Sequence, residues 1–467
     1  MTLQAAQALL DQALQAMADR RWGAAMDQLD RAIALAPGQA ALHTNLALVL
    51  DEMGEPQSAM EHLSIALDVD PAQPLVHLNL GVLAARTGAL ALAEQANRYA
   101  IQLQTSLAAA WSNLGSLLDN THRAPEAEAC LRHALTLEPR NASARFNLAC
   151  LLLRDGRYAE AWPLWETRDW PVHQALPWSC PRWRGERLEG MRVLVVQDAG
   201  LGDTIQFARY LRGLRRLGAS RIDLICQAPL QALMQQLQDV HTVWNWADSA
   251  QALNCAPWDV WIPVMSLAAY PDGQDTTALE PRPYLKPTEC RKEVWKSRLS
   301  PTQKDQRLRI CLVAQGNPDF PHDAQRSIRD LEVLAPLQSV SDIEWIHLRG
   351  KSVSRGFDAE EPAWELGDLV DTAGLLACVD LLICVDTAIA HLAGAMGIPC
   401  WLLLPDYLCD WRWQRRGTQS AWYASMRLFR QVTPGDWASV VNQVNDALQA
   451  PGSVDAIRSL RLPQTSA

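Results

Sequence analysis

A 34-residue period governs the first third of the chain. Ala25, Ala59, Ala93, Ala127 and Ala161 fall on it, as do Leu46, Leu80, Leu114 and Leu148. Pro37, Pro71 and Pro139 share the period, with Thr105 in the vacant proline slot. Self-similarity at about 20–50 residues marks a repeat architecture. A small residue at a fixed place lets two helices approach closely. A proline ends a helix because it lacks an N–H and clashes with the preceding turn. One unit of this size cannot bury its apolar face alone, so units must stack into a superhelix with a concave surface.

The best-formed unit runs Trp111-Ser-Asn-Leu114-Gly115, then Ala127, Leu131, Ala134 and Pro139. It resembles the tetratricopeptide repeat, whose unit is a helix–turn–helix. Five units are expected over residues 1–168, starting near Ala6, Ala40, Pro74, Ala108 and Ala142. The fifth leaves the pattern at Trp165. Asn45, Asn79, Asn113 and Asn147 also keep the period. An amide ladder along a groove could hydrogen-bond an extended peptide whatever its sequence, and it resembles the asparagine ladder of O-GlcNAc transferase repeat domains. The alternative is an intra-repeat bond that holds neighbouring helices together.

Residues 169–190 form a junction. Trp162, Trp165, Trp170, Trp178 and Trp183 lie in or beside it with Pro163, Pro171, Pro177 and Pro181. Flexible linkers are polar or Gly/Ser-rich, so these tryptophans are expected to pack the repeats rigidly against the next domain.

From Met191 the pattern becomes α/β. Val193–Gln197, Ile222–Cys226 and Asp259–Pro263 read as strands, with a helix over Asp203–Leu217. A second set has strands at Leu308–Ala314, Glu344–Leu348, Asp380–Val385 and Cys400–Leu404. Its helices are expected near Leu331–Leu337, over Ala388–Met396 and over Trp437–Leu448. A polar, proline-containing stretch near Lys286–Asp305 separates the sets. Alternating strands and helices imply parallel sheets. Two Rossmann-like halves, 191–300 and 301–450, are therefore expected to face a cleft, with 451–467 as a tail. Ligand is expected at the carboxyl ends of the strands.

Three stretches could carry chemistry. Gly200-Leu-Gly202-Asp203-Thr204 follows the first strand and opens a helix. It lacks the third glycine of a dinucleotide fingerprint, which disfavours an oxidoreductase, and no P-loop motif occurs. Asp203 could be a general base toward a hydroxyl or a helix-terminal carboxylate favoured by the macrodipole. Asp386-Thr387 ends a buried strand and opens a helix, a ready anion site. His391 lies four residues on, on the same helix face; the plainer reading is a cap and a satisfied interior histidine. Gly316-Asn317, followed by Arg326-Ser327, would complement a diphosphate through charge-assisted bonds. Alternatively Arg326 is a surface loop arginine.

Taken together these stretches resemble glycosyltransferase family 9, the ADP-heptose:lipopolysaccharide heptosyltransferases. The matching pieces are Gly202-Asp203 and Asp386-Thr387-x-x-x-His391-x-x-Gly394-Ala395 followed by Gly397-Ile-Pro399. The whole chain resembles bacterial proteins that join tetratricopeptide repeats to such a domain, in which Asp410-Trp411-Arg412-Trp413 and Trp422-Tyr423 are also familiar. The resemblance implies a GT-B fold and inverting, metal-independent sugar transfer with no cofactor beyond the nucleotide diphosphate-sugar donor. It makes Asp203 the base. It places Gly202, Thr204, Gly316, Asn317, Arg326, Ser327, Asp386, Thr387 and His391 around the donor. The repeats would then recruit a protein or glycan acceptor. The chain departs from related proteins at Gln197-Asp198-Ala199 and at His347–Lys351. That motivates a rival expectation, a non-catalytic adaptor with a degenerate transferase domain.

Composition narrows the rest. Of 467 residues, 42 are basic and 52 acidic, a net charge of −10, which argues against nucleic acid as a partner. No apolar run approaches the ~18 residues of a membrane span, and the first residues lack the pattern of a secretion signal. The 11 cysteines are scattered with no C-x-x-C pair, so reduced thiols and a cytoplasmic location are expected.

Overall fold

The computed structural model describes residues 2–168, 180–249, 258–270, 282–299, 307–356 and 364–462. The chain divides into two compact units, Met1–Leu151 and Leu152–Ala467.

The first unit is built of paired helices: α1 (Thr2–Ala18) with α2 (Trp22–Leu35), α3 (Ala40–Glu52) with α4 (Pro56–Val69), α5 (Pro74–Arg86) with α6 (Leu90–Leu103), and α7 (Ala108–Asn120) with α8 (Ala124–Leu137). α9 (Ala142–Arg154) follows. Units two to five begin at the expected residues; the first begins at Thr2 rather than Ala6. The recurring alanines Ala25, Ala59, Ala93 and Ala127 have no exposed surface, and Leu46, Leu80, Leu114 and Leu148 are buried. The proline is not what ends the second helix of a unit. α6 stops at Leu103, on the same period as Leu35, Val69 and Leu137, although Thr105 stands in the proline slot. A feature absent from the sequence reading marks the turn inside each unit. Arg20, Gly54, Gly88, His122 and Gly156 all have positive φ, between 54° and 84°. Glycine adopts this conformation freely, whereas arginine and histidine are strained there.

The second unit opens with α10 (Tyr158–Trp165), a short helix containing Pro163. By sequence it completes the fifth repeat. By packing it belongs to the α/β unit, because Trp162 and Trp165 meet Phe207 and Trp411. Trp183 is buried, while Trp170 and Trp178 lie outside the described residues.

Four parallel strands form the first sheet: β1 (Arg192–Val196), β2 (Arg221–Cys226), β3 (Thr242–Asn245) and β4 (Val260–Pro263), in the order β3-β2-β1-β4. The helix expected over Asp203–Leu217 is broken into α11 (Leu201–Phe207), a 3-10 turn at Ala208–Tyr210, and α12 (Leu211–Arg216). α13 (Ala228–Met234) follows β2. α14 (Glu289–Arg298) occupies the stretch read as a domain boundary and buries Trp295 completely.

The second sheet contains β5 (Leu308–Val313), β6 (Ile343–Arg349), β7 (Ser352–Arg355), β8 (Trp364–Glu365), β9 (Leu381–Val385), β10 (Cys400–Leu404) and β11 (Met426–Arg430). Their order is β11-β10-β9-β5-β6-β7-β8. β7 and β8 pair antiparallel at one edge, and the other pairs are parallel. The intervening helices are α15 (Asp323–Arg326), α16 (Ala335–Gln338), α17 (Leu369–Ala377) and α18 (Ala388–Ala395). α19 (Trp437–Gln449) and α20 (Ser453–Ser459) close the chain. The expected tail is thus partly helical, and its Ile457 joins the apolar core with Val440, Val444, Leu403 and Phe429.

Strand order reverses beside β1 (β2 on one side, β4 on the other) and beside β5 (β6 and β9). Such switch points open a crevice at the carboxyl ends of the strands. The loops after β1, β5 and β9 carry the residues singled out by the sequence.

Candidate functional site

α11, after β1, packs on α18, after β9. The approach is close because Gly202 has no side chain: a Cβ there would lie 2.7 Å from His391 Cδ2 and 3.3 Å from Ala388 Cα. This contact accounts for Gly202, which sequence reasoning gave to the donor. It also brings Asp203 and His391 to one place.

Asp203 sits in the first turn of α11. Its Oδ2 accepts from the Gly200 amide at 2.8 Å, and its Oδ1 lies 2.5 Å from Arg412 Nη2. The helix-cap reading of Asp203 therefore holds in the geometry, with an ion pair added. Arg412 also donates to both oxygens of Asp410 at 3.0 Å and to the Gln206 side-chain carbonyl. One buried guanidinium thus joins a carboxylate after β1 to one after β10. Burial raises the Asp203 pKa against the pull of Arg412. Burial works the same way on Asp410, yet the Arg412 charge and hydrogen bonds hold that carboxyl below its usual range. Asp386 is pushed up to about 6 by burial and by the like charge of Asp410. Three neighbouring carboxyls thus have divergent proton affinities, a pattern that clusters at functional sites.

His391 is an interior histidine with a partner. Its Nδ1 lies 3.1 Å from the Tyr423 hydroxyl, and its ring stacks on Trp413 with centroids 5.3 Å apart. Burial, and then the Arg412 charge, lower its pKa to about 3, so the imidazole is neutral at physiological pH. Thr387 is the N-cap of α18, but its side chain makes no capping bond. Among the described residues, Thr387 Oγ1 and Gln206 Nε2 are buried without a hydrogen-bond partner. A buried polar group left unpaired costs about 1–3 kcal/mol, which a ligand could recover.

The loop after β5 supplies the cation. Arg326 ends α15 with its guanidinium 4.0 Å over the Phe320 ring and Nε 3.5 Å from Asp323 Oδ1. Its charge acts on both Asp386 and His391. Its side chain is half-buried.

Other predicted residues have structural roles. The Thr204 hydroxyl is fully buried and donates to the Gly200 carbonyl. Ser327 is buried; its hydroxyl donates to Asp323 Oδ1 at 2.7 Å and accepts from the Gly316 amide at 2.8 Å. Gly316 is required because a Cβ would lie 2.7 Å from that same Asp323 oxygen. Asn317 is exposed and caps a turn by accepting from the Asp319 amide. Arg412, Asp410, Gln206, Trp413, Tyr423 and Asp323 were not assigned to the site from sequence. The available signal was the dense Asp410-Trp411-Arg412-Trp413 string, two charges among aromatics.

In the repeats, Asn45, Asn79, Asn113 and Asn147 occupy one equivalent place on α3, α5, α7 and α9, each half-buried. They do not share one bonding pattern. Asn45 donates to the Ala41 carbonyl of its own helix at 2.7 Å. Asn147 reaches Ser112 Oγ in the preceding unit at 3.4 Å. Leu14, Leu48 and Val82, exposed on the same 34-residue spacing, lie three residues beyond Asp11, Asn45 and Asn79.

Tetratricopeptide-repeat patterns match residues 44–108, 108–141 and 130–162. The N-terminal region is a tetratricopeptide-repeat array. Protein FlbA of Caulobacter vibrioides is 25% identical over 323 residues, which cover 63% of this chain and 53% of the relative. The chain thus spans about half the length of the curated relative it matches. Among solved structures, pilF of Pseudomonas aeruginosa is 23% identical with a TM-score of 0.34, covering 35% of this chain and 75% of that one. A thermophilic tetratricopeptide-repeat protein of Thermus thermophilus is 24% identical with a TM-score of 0.32, covering 35% and 89%. No described helix is long and apolar enough to cross a membrane.

Proposed function

We propose that the α/β unit is a glycosyltransferase of GT-B type, related to the heptosyltransferase family, and that the repeats recruit its protein or glycan acceptor. The observation that carries this reading is the convergence of Asp203, Asp386, Asp410, Arg412 and Arg326 with two buried polar groups unpaired among the described residues, at the carboxyl ends of parallel strands of the two sheets. Repeat arrays present concave surfaces to polypeptides, which supports a protein partner.

In this reading the nucleotide diphosphate-sugar lies against the loop after β5 and the start of α18. The acceptor hydroxyl oxygen attacks the anomeric carbon from the face opposite the diphosphate. The new C–O bond forms as the bond to the diphosphate breaks, with inversion. Asp203 takes the hydroxyl proton, a role favoured by its raised proton affinity. Arg326, the Thr387 hydroxyl and the free amides of α18 stabilise the departing diphosphate charge. Neutral His391 orients rather than titrates. A cytoplasmic site would give access to such donors.

One observation favours the adaptor reading: both oxygens of Asp203 are already engaged, by Gly200 and Arg412. Donor turnover distinguishes the two. Wild type should release nucleoside diphosphate from one donor class, and Asp203→Asn should lower that rate by about two to four orders of magnitude, the range of general-base contributions. Undiminished turnover in Asp203→Asn would remove it as the base. No release from any donor by wild type would leave the adaptor.

A further inference from the structure

Residues 154–168 complete the repeat pattern by sequence, yet their contacts lie at the α/β site. Arg154 Nη2 donates to the Cys409 carbonyl at 2.8 Å, one residue before Asp410. Asp155 pairs with Arg415 at 2.7 Å. The Trp162 and Trp165 rings meet Trp411 edge-on at 6.2 and 5.9 Å between centroids. These contacts grip the turn that carries Asp410, Arg412 and Trp413.

The other end of the segment grips the other turn. Arg168 Nη2 donates to Asp198 Oδ2 at 2.6 Å and to Ser266 Oγ at 3.0 Å, while its Nη1 donates to Glu166 at 2.9 Å. Arg182 completes the cluster through Glu166 and Ser266. Asp198 lies in the loop 197–200 between β1 and α11, the helix that carries Asp203, and its second oxygen accepts from the Met265 amide. Arg168 and Asp198 are both buried.

We infer that residues 154–168 are a positioning element of the α/β site: Arg154 sets the turn bearing Asp410 and Arg412, and Arg168 sets the turn bearing Asp203. The Arg412–Asp203 pair forms only when both turns are in place, so one short segment fixes the distance between the two sides of the cleft. Arg154 acts through the Cys409 backbone carbonyl, and Arg168 acts through the Asp198 carboxylate. The inference rests on that cleft being the working site.

Hydrogen–deuterium exchange on the ligand-free full chain tests it, independently of any substrate. Arg154→Ala removes the hydrogen bond to the Cys409 carbonyl. It should raise exchange about tenfold in peptides over 409–413 and, through Arg412, over 198–207, with the strands unchanged, as expected for local opening. Arg154→Lys, which still donates, should restore most of the protection. Arg168→Gln should raise exchange first over 198–207. Should that variant fail to fold, the Arg154 pair alone decides. No change at either turn, or an equal rise across both sheets, would overturn the inference. Titration of wild type with ADP, GDP, UDP and CDP in the same samples reports on the proposed function separately: failure to bind any of them leaves the exchange result standing.

Discussion

In the repeats the buried alanine and leucine positions recur every 34 residues, whereas the residues of the α/β site follow no such period. Ala59 is buried as Ala25 and Ala93 are, and each meets only its neighbours. Arg412 is met by Asp203, more than 200 residues earlier in the chain, and by Asp410 beside it. Loss of one repeat position removes one interface among several alike. Loss of Arg412 leaves the half-buried Asp203 and Asp410 carboxylates without the cation they share.

The sharpest way to break this comparison is therefore Arg412→Ala. Removing one member of a buried ion network destabilises by about 3–5 kcal/mol. Chemical denaturation should show the α/β transition moving to lower urea while the helical signal of the repeats keeps its midpoint. A shift of both transitions together would mean that the units do not behave separately.

Leu114→Ala is the matching change in the repeats. Leu114 is fully buried in α7, and such truncations cost about 2–5 kcal/mol. The loss should be confined to the repeat transition, and exchange should rise most in α7 and α8. An α/β transition displaced as far as in Arg412→Ala would erase the contrast.

Acid should separate the units next. His391 and His347 have pKa values lowered to about 3 and about 4 by burial. Unfolding lets both take up protons, so the stability they contribute is full above about pH 6.5 and is lost as pH falls toward 4. Asp386, raised to about 6, acts in the opposite sense in part of that window, leaving a net loss on acidification. Burial and His43 also lower His62 in the repeats. Stability of the α/β unit measured from pH 7 to 4 should fall more steeply than that of the repeats. His391→Gln should flatten the slope; an unchanged slope would assign the effect elsewhere.

The smallest effect sharpens the periodic side. His122 holds φ of 63° where three of the other four units carry glycine. His122→Gly should raise repeat stability by about 1 kcal/mol by relieving left-handed strain, and Gly88→Ala should lower it by a similar amount. Calorimetry of the two variants checks both signs.

The same contrast explains what the sequence disclosed. The period placed four unit starts correctly, at Ala40, Pro74, Ala108 and Ala142, because each helix pair is specified by residues close in sequence. Strands such as Cys400–Leu404 were legible as short apolar runs between turns. The positions of Gly202, Asp203, Asp386, Thr387 and His391 were legible because strand ends and helix starts announce themselves locally. Their partners were not. Arg412 reaches Asp203 across more than 200 residues from a 3-10 turn with no periodic signature. The loop-internal bonds of Thr204 and Ser327 were not legible for the complementary reason: a hydroxyl beside a glycine turn looks the same in sequence whether it faces a ligand or bonds its own loop.

The central claim is that the cleft binds a nucleotide diphosphate-sugar. The most direct test is a thermal-shift panel of ADP-, GDP-, UDP-, CDP- and dTDP-sugars on wild type and Arg326→Ala. A ligand that binds only the folded state raises apparent stability by mass action, about 2.7 kcal/mol at a hundredfold excess over Kd. A shift with one nucleotide class, confined to the α/β transition and lost in Arg326→Ala, is the predicted result. No shift with any donor, or a shift that Arg326→Ala leaves intact, would contradict it.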